Sequence, residues 1–297
     1  MAWSWWRRRR ARGLTEEERA ALKRLVAEPR FELIPLRAAP DQAVALPKAS
    51  AVTVTASPSH GIEATFALAE TVAAMGHDVT PHLSAHMIRD RAHLAELLDR
   101  ARDGGFRSAF VVGGDARDTG EFHDGLALLR AIHELGNPFE VIGVPAYPEG
   151  HADIPEDTLA RALRDKQKLA QHVATQMSFD PGAVTAWVAR IRRDGITLPI
   201  HLGTPGVAEL TKLMTIAARI GVADSARYLK KNKSMVGQLM KGGSFGPDAF
   251  LRSLAPTLAD PAADVRMLHI FTFNQVDATV AWQARMLAEL DTIPATG

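Results

Sequence analysis

Two hydrophobic periods alternate along the chain. Short apolar runs at 31–36, 51–56, 79–84, 108–112, 139–144, 172–176, 198–202 and 267–272 predict eight strands. Between them, apolar positions recurring every three to four residues predict helices over 62–75, 91–103, 124–135, 156–169, 181–194 and 207–220. Ahead of the first strand, Thr15 with Glu18 three residues on caps a helix running to about Ala27. The long segment 223–264 reads as extra helices plus a loop.

Eight strand–helix units in roughly 270 residues are the count and length of an α/β protein of the (β/α)8 TIM-barrel type. A doubly wound sheet is the competing architecture. It lacks support, because no glycine-rich fingerprint opens a helix after the first strand, and Gly113-Gly114-Asp115 after the fourth is too short to serve. The expected organisation is a basic tail and helix over 1–30 and a single catalytic barrel over 31–290.

Composition narrows the function classes. The chain has 297 residues, 46% hydrophobic and 23% charged, which suits one large domain with a sizeable core. A formal net charge of +1 provides no field that would recruit nucleic acid or a membrane surface. The absence of cysteine removes disulfides, thiolate nucleophiles and Cys-bound metals. Trp3, Trp5 and Trp6 precede the block Arg7 to Arg10, but a charged helical stretch follows where a signal would be apolar. With no run of 18 apolar residues either, the expected location is the cytoplasm.

In such a barrel the strand ends converge on one mouth. They carry Glu32, Thr55, His82, Asp115, Tyr147, Glu149, His151, Gln176, His201 and Asn274, an unusually polar set. Glu32 is the sharpest signal. It lies between Phe31 and Leu33, where alternate residues point into the barrel. A carboxylate there is costly unless paired or protonated, the setting in which a carboxyl serves as a general acid. Its competing reading is a buried Glu satisfied by a backbone or Arg partner. Asp115 follows two glycines that allow close approach of a ligand, or it caps a turn. Lone histidines such as His201 or His269 read as satisfied core residues. The histidines have no metalloprotease spacing, and Gly-x-Ser-x-Gly is absent, so neither a metal site nor a serine nucleophile is expected.

At these residues the chain resembles the methylenetetrahydrofolate reductase family, from Phe31 to about Trp282. Phe31-Glu-Leu-Ile-Pro35 is similar to the family's Phe-Glu-Phe-Phe-Pro, and Pro81-His-Leu-Ser84 to Pro-His-Leu-Thr. Gly114-Asp115 is similar to the end of Leu-Arg-Gly-Asp, and Ala146-Tyr-Pro-Glu-Gly-His151 to Ala-Tyr-Pro-Glu-x-His. Thr175-Gln-Met-Ser-Phe-Asp180 resembles Thr-Gln-Phe-x-Phe-Asp, and Phe271-Thr-Phe-Asn274 resembles Tyr-Thr-Leu-Asn.

The resemblance implies reduction of 5,10-methylenetetrahydrofolate to 5-methyltetrahydrofolate by NADH or NADPH, typically through bound FAD. By the same carry-over Glu32 is the general acid, Asp115 sits beside the pterin and flavin, and Gln176 and Asn274 belong to the substrate side. Thr55, His82, Gly114, Tyr147, His151 and Lys166 line the cofactor site. The partner implied is a reduced folate, with no nucleic acid or membrane, and self-association is left open.

Departures fall on the flavin phosphates. The family's Arg before Gly-Asp is Gly113, and its phosphate-facing Asn, Arg and Lys align with Ala162, Asp165 and Lys166. An Asp beside a pyrophosphate repels it, unless Arg161, Arg164 or Lys168 compensates through a shift of one turn. FAD is therefore expected to bind weakly or not at all, with hydride then passing directly from the nicotinamide. A non-catalytic folate- or flavin-binding barrel, and the same chemistry run oxidatively, are the alternatives.

Overall fold

The computed structural model describes residues 13–114, 120–151, 153–209 and 244–292. Helix α1, Glu16–Ala27, opens them with the anticipated capping box: the Thr15 hydroxyl accepts from Glu18 N–H while the Glu18 carboxylate accepts from Thr15 N–H. Leu22, Leu25 and Val26 bury its apolar face. Arg24 at its end donates to the carbonyls of Val265 and Arg266, tying it to the N-terminal edge of the barrel.

Eight parallel strands close the barrel. They are β1 Arg30–Leu33, β2 Ala51–Val54, β3 Asp78–Ser84, β4 Ser108–Val112 and β5 Val141–Ala146. β6 His172–Thr175 and β7 Ile200–Pro205 follow, and β10 Val265–Phe271 pairs with both β7 and β1 to complete the ring. The outer helices after the successive strands are α2 Ala39–Ala43, α3 Gly61–Ala74, α4 Arg91–Asp103 and α5 Gly125–Glu134. They continue with α6 Glu156–Lys166, α7 Pro181–Arg193, α8 Asp248–Ala259 and α9 Val276–Thr292. Parallel strands covered by helices bury both faces, which is why their sequences read as near-continuous apolar runs. The anticipated (β/α)8 barrel is thus the observed fold.

Several boundaries differ. β5 and β7 begin two residues later than anticipated, because Phe139 and Leu198 are buried core residues of the preceding loops. β5 also runs through Pro145, which stands in register with Ala174. β10 starts earlier, at Val265. The helix expected from 207 does not begin there: Ala208–Glu209 (β8) pair antiparallel with Ser244–Phe245 (β9), and the rest of that helix lies outside the described residues. So do the tail at 1–12, Asp115, and the part of the long insertion up to 243.

Candidate active site

A cavity of about 800 Å³ opens at the C-terminal ends of the strands. Its floor is Glu32, His269, Phe110 and His82. Glu32 comes from β1 and is 8% exposed, and its Oε2 lies 2.9 Å from Nε2 of His269, itself 2% exposed. At that spacing the imidazole donates to the carboxylate or accepts from the carboxyl, so the pair can hold one shared proton. The pairing arises from register: β1 and β10 run parallel with Arg30 opposite His269, placing Glu32 one inward position further on. In the sequence His269 reads as a satisfied core residue with nothing to link it to Glu32; in the structure it is both a core residue and part of the cavity floor.

β3 contributes one wall through His82 and Ser84, whose alternation presents both to the cavity, and His86 joins them from the 3-10 turn that follows. The His82 ring packs 4.7 Å from Phe110, and burial together with the neighbouring His269 lowers its pKa to about 3, so it is a neutral imidazole at physiological pH. His82 Nε2 and Ser84 Oγ are buried without a protein partner. Burying such atoms unpaired costs about 1–3 kcal/mol each, so a partner from a ligand or water is expected there. Gly114 closes over Ser84 with φ +97°, and a Cβ there would stand 2.1 Å from Ser84 Oγ.

The opposite wall comes from the β5 end and α6. Tyr147 and His151 meet edge to face at 5.1 Å, within a turn closed by Gly150. Thr158, Leu159, Ala162 and Lys166 form the face of α6 turned to the cavity. Lys166 is the one lysine or arginine among the described lining residues, and burial lowers its pKa against the opposing pull of Asp124. Asp165, Arg161 and Arg164 are exposed and do not line the cavity, so the anticipated repulsion by Asp165 does not arise within it.

Thr55 and Gln176 also line the cavity. The Gln176 side-chain oxygen accepts from Met177 N–H at 2.8 Å. Three residues of the anticipated rim lie elsewhere. Asn274 spends its amide on Ile34, accepting from its N–H and donating to its carbonyl, both at 2.9 Å, and so locks the β1 exit to the turn after β10. Glu149 accepts from the N–H groups of Phe179 and Asp180, bracing two loops. His201 is the second residue of β7, not its last, and it stacks on His172 at 3.9 Å near the N-terminal end of the barrel. Asp115 lies outside the described residues.

A closed parallel barrel whose strand ends surround a deep cleft floored by a carboxylate–imidazole pair has the architecture of a TIM-barrel enzyme. The model of the methylenetetrahydrofolate reductase family matches residues 37–283, and the chain belongs to that family. It is 35% identical over 117 residues to "Methylenetetrahydrofolate reductase 1" of Schizosaccharomyces pombe, an alignment covering 36% of this chain and 19% of that protein. Among solved structures it is similar to a putative phosphonomutase of Burkholderia cenocepacia J2315, with TM-score 0.49, 13% identity, and coverage of 93% and 99% of the two chains. A putative lyase/mutase of the same organism gives TM-score 0.45 and 14% identity, covering 93% and 87%.

The family implies FAD, and the residues present fit one. The unpartnered His82 Nε2 and Ser84 Oγ, with Thr55, Tyr147 and His151, form a wall for a heteroaromatic ring system. Lys166 and the start of α5 lie on the same cavity for an anionic group: a Cβ on Gly125 would be 3.5 Å from Lys166 Nζ. The fit includes one fixed cation for a pyrophosphate.

Proposed function

We propose that the protein reduces 5,10-methylenetetrahydrofolate to 5-methyltetrahydrofolate with a reduced nicotinamide as electron source. The observation that carries this reading is the buried Glu32 carboxyl at the cavity floor, held by His269 at 2.9 Å. The reaction needs one proton at N10 of the folate. Its arrival breaks the N10–methylene bond, the electron pair stays on N10, and the methylene becomes an iminium at N5 that accepts hydride. A carboxyl group sheltered from bulk water and backed by an imidazole suits that proton transfer. Phe110, Phe271 and Phe273 add apolar surface against which a pterin can lie, and Gln176 offers an amide to its polar edge.

FAD bound along the His82–Tyr147–Lys166 wall would relay hydride between nicotinamide and folate. With Lys166 as the single lysine or arginine for its phosphates among the described lining residues, we propose that the flavin is held weakly and exchanges with solvent. The choice between NADH and NADPH, and the physiological direction, follow from assay. The test is anaerobic turnover of 5,10-methylenetetrahydrofolate with each nicotinamide, with and without added FAD. Formation of 5-methyltetrahydrofolate supports the reading. A protein that binds the folate yet reduces it under no donor or flavin supply is instead a folate-binding barrel.

A further inference from the structure

TIM-barrel interiors are usually filled by branched aliphatic side chains. Below Glu32 this one is polar. Glu32 stands in register with Thr53, and Thr53 with Thr80. Thr80 Oγ1 and Ser108 Oγ are 2.6 Å apart, and Thr80 also accepts from Arg30 at 2.5 Å. Arg30 reaches Asp78 at 3.4 Å, a carboxylate that is 58% exposed at the N-terminal end. Beside this ladder, His172 and His201 stack at 3.9 Å. His172 occupies space that Gly143 opens, since a Cβ there would lie 2.3 Å from its Nε2.

Four atoms of this column, Thr53 Oγ1, Arg30 Nε, His172 Nδ1 and His201 Nδ1, are buried with no partner in the protein. Buried polar groups are satisfied almost without exception, and internal water is the ordinary partner when several cluster. We propose that this column and its water form the route by which Glu32 regains a proton from the N-terminal end of the barrel. The inference rests on the reductase reading. In that reaction each turnover moves one proton from Glu32 to N10 and one hydride to carbon, so Glu32 is left a carboxylate and one proton must come from solvent. Folate and nicotinamide would fill the mouth above Glu32, whereas Arg30, Thr53, Thr80 and Ser108 of the column do not line that cavity.

The groups facing the path are Arg30 on β1, Asp78 and His82 on β3, His172 on β6, His201 on β7, and Arg266 and His269 on β10. Arg30 repels a free hydronium, so the proton passes by successive donation through neutral hydroxyls, imidazoles and water, each group giving one proton as it takes another. His172 and His201 suit this role. Burial first, then neighbouring charges, keeps both neutral, His172 with a pKa of about 3.

Thr53→Val tests the route, because it keeps the volume and removes an oxygen that has no protein partner. A merely structural role predicts unchanged or higher stability and unchanged kinetics. The route predicts a fall in kcat of roughly ten-fold with a larger solvent deuterium isotope effect on kcat. Reprotonation through the column takes place with product still bound and so enters kcat, whereas kcat/KM for the folate reports the free enzyme, protonated through its open mouth, and changes little. Thr53→Ser keeps the hydroxyl and should behave as wild type in both. Wild-type kcat and isotope effect in Thr53→Val, alongside normal wild-type turnover, overturn the route and leave the reductase reading intact. A wild type that binds folate without reducing it removes that reading and the route together.

Discussion

Oε2 of Glu32 and Nε2 of His269 lie 2.9 Å apart across the seam where the last strand of the barrel meets the first. Neither is common in a barrel interior. Together they cost less than either alone, because each satisfies a polar atom of the other in a place water reaches poorly. Replacing His269 by Leu leaves the carboxyl without that partner. The expected loss is roughly 1–3 kcal/mol of unfolding free energy in a denaturant titration. A fall in kcat with little change in folate binding should accompany it. Unchanged stability and kcat in His269→Leu would show that the contact has no energetic weight.

Lys166 and Asp165 are neighbours in sequence and opposites in placement. Lys166→Met should weaken FAD binding by about ten- to a hundred-fold, the equivalent of one charge-assisted contact to phosphate. Asp165→Ala should leave it within about two-fold, since an exposed charge off the cavity is screened by solvent. Flavin fluorescence titrations of both variants read this directly. A large gain in affinity from Asp165→Ala would place that carboxylate at the phosphates after all.

The buried histidines make a prediction about acid. His82 and His172 have folded-state pKa values of about 3, well below the value of 6.5 they have when exposed. Between those limits the unfolded chain binds protons that the folded chain does not, so stability falls as pH falls. Above pH 6.5 their effect is constant. Below it each contributes a loss of about 1.4 kcal/mol per pH unit, and the loss levels off near pH 3. Thermal melts from neutral pH down to about 5 should show it, and His172→Phe should flatten the slope by about a third, because burial holds His201 down as well. A melt that does not move over that range would contradict the burial of neutral imidazoles.

Asn274 holds Ile34 by two hydrogen bonds, from a turn in which Phe273 and Asn274 both have positive φ. Asn274→Ala leaves the Ile34 N–H and carbonyl buried and unpaired, at a cost of roughly 1–3 kcal/mol. The midpoint of unfolding reports that cost, and folate affinity should change less than stability. A variant of native stability that has lost folate binding would return Asn274 to the substrate side.

The barrel was legible in the sequence because parallel strands buried on both faces and amphipathic helices have distinct periods, and the two periods alternate along the chain. Glu32 was legible for a related reason, a charge amid apolar neighbours at an inward position. His201 was misplaced because the strand edge was set by Leu198, a buried loop residue that hydropathy alone cannot separate from a strand residue. Asn274 and Glu149 show a second limit: a polar residue near a strand end reads the same whether it faces a ligand or ties down a loop. The polar column below Glu32 was hidden because Thr53, Thr80 and Ser108 are ordinary strand residues, and only closure of the barrel brings them into one file.

In the proposed reaction Glu32 supplies the proton that opens the folate ring. The most direct test compares wild type and Glu32→Gln under anaerobic conditions, with 5,10-methylenetetrahydrofolate, each reduced nicotinamide and added FAD, alongside equilibrium binding of the folate. The account predicts 5-methyltetrahydrofolate from the wild type and a fall in kcat of about 10²–10⁴-fold in the variant, with folate binding retained. A Glu32→Gln protein that reduces the folate at the wild-type rate would contradict it.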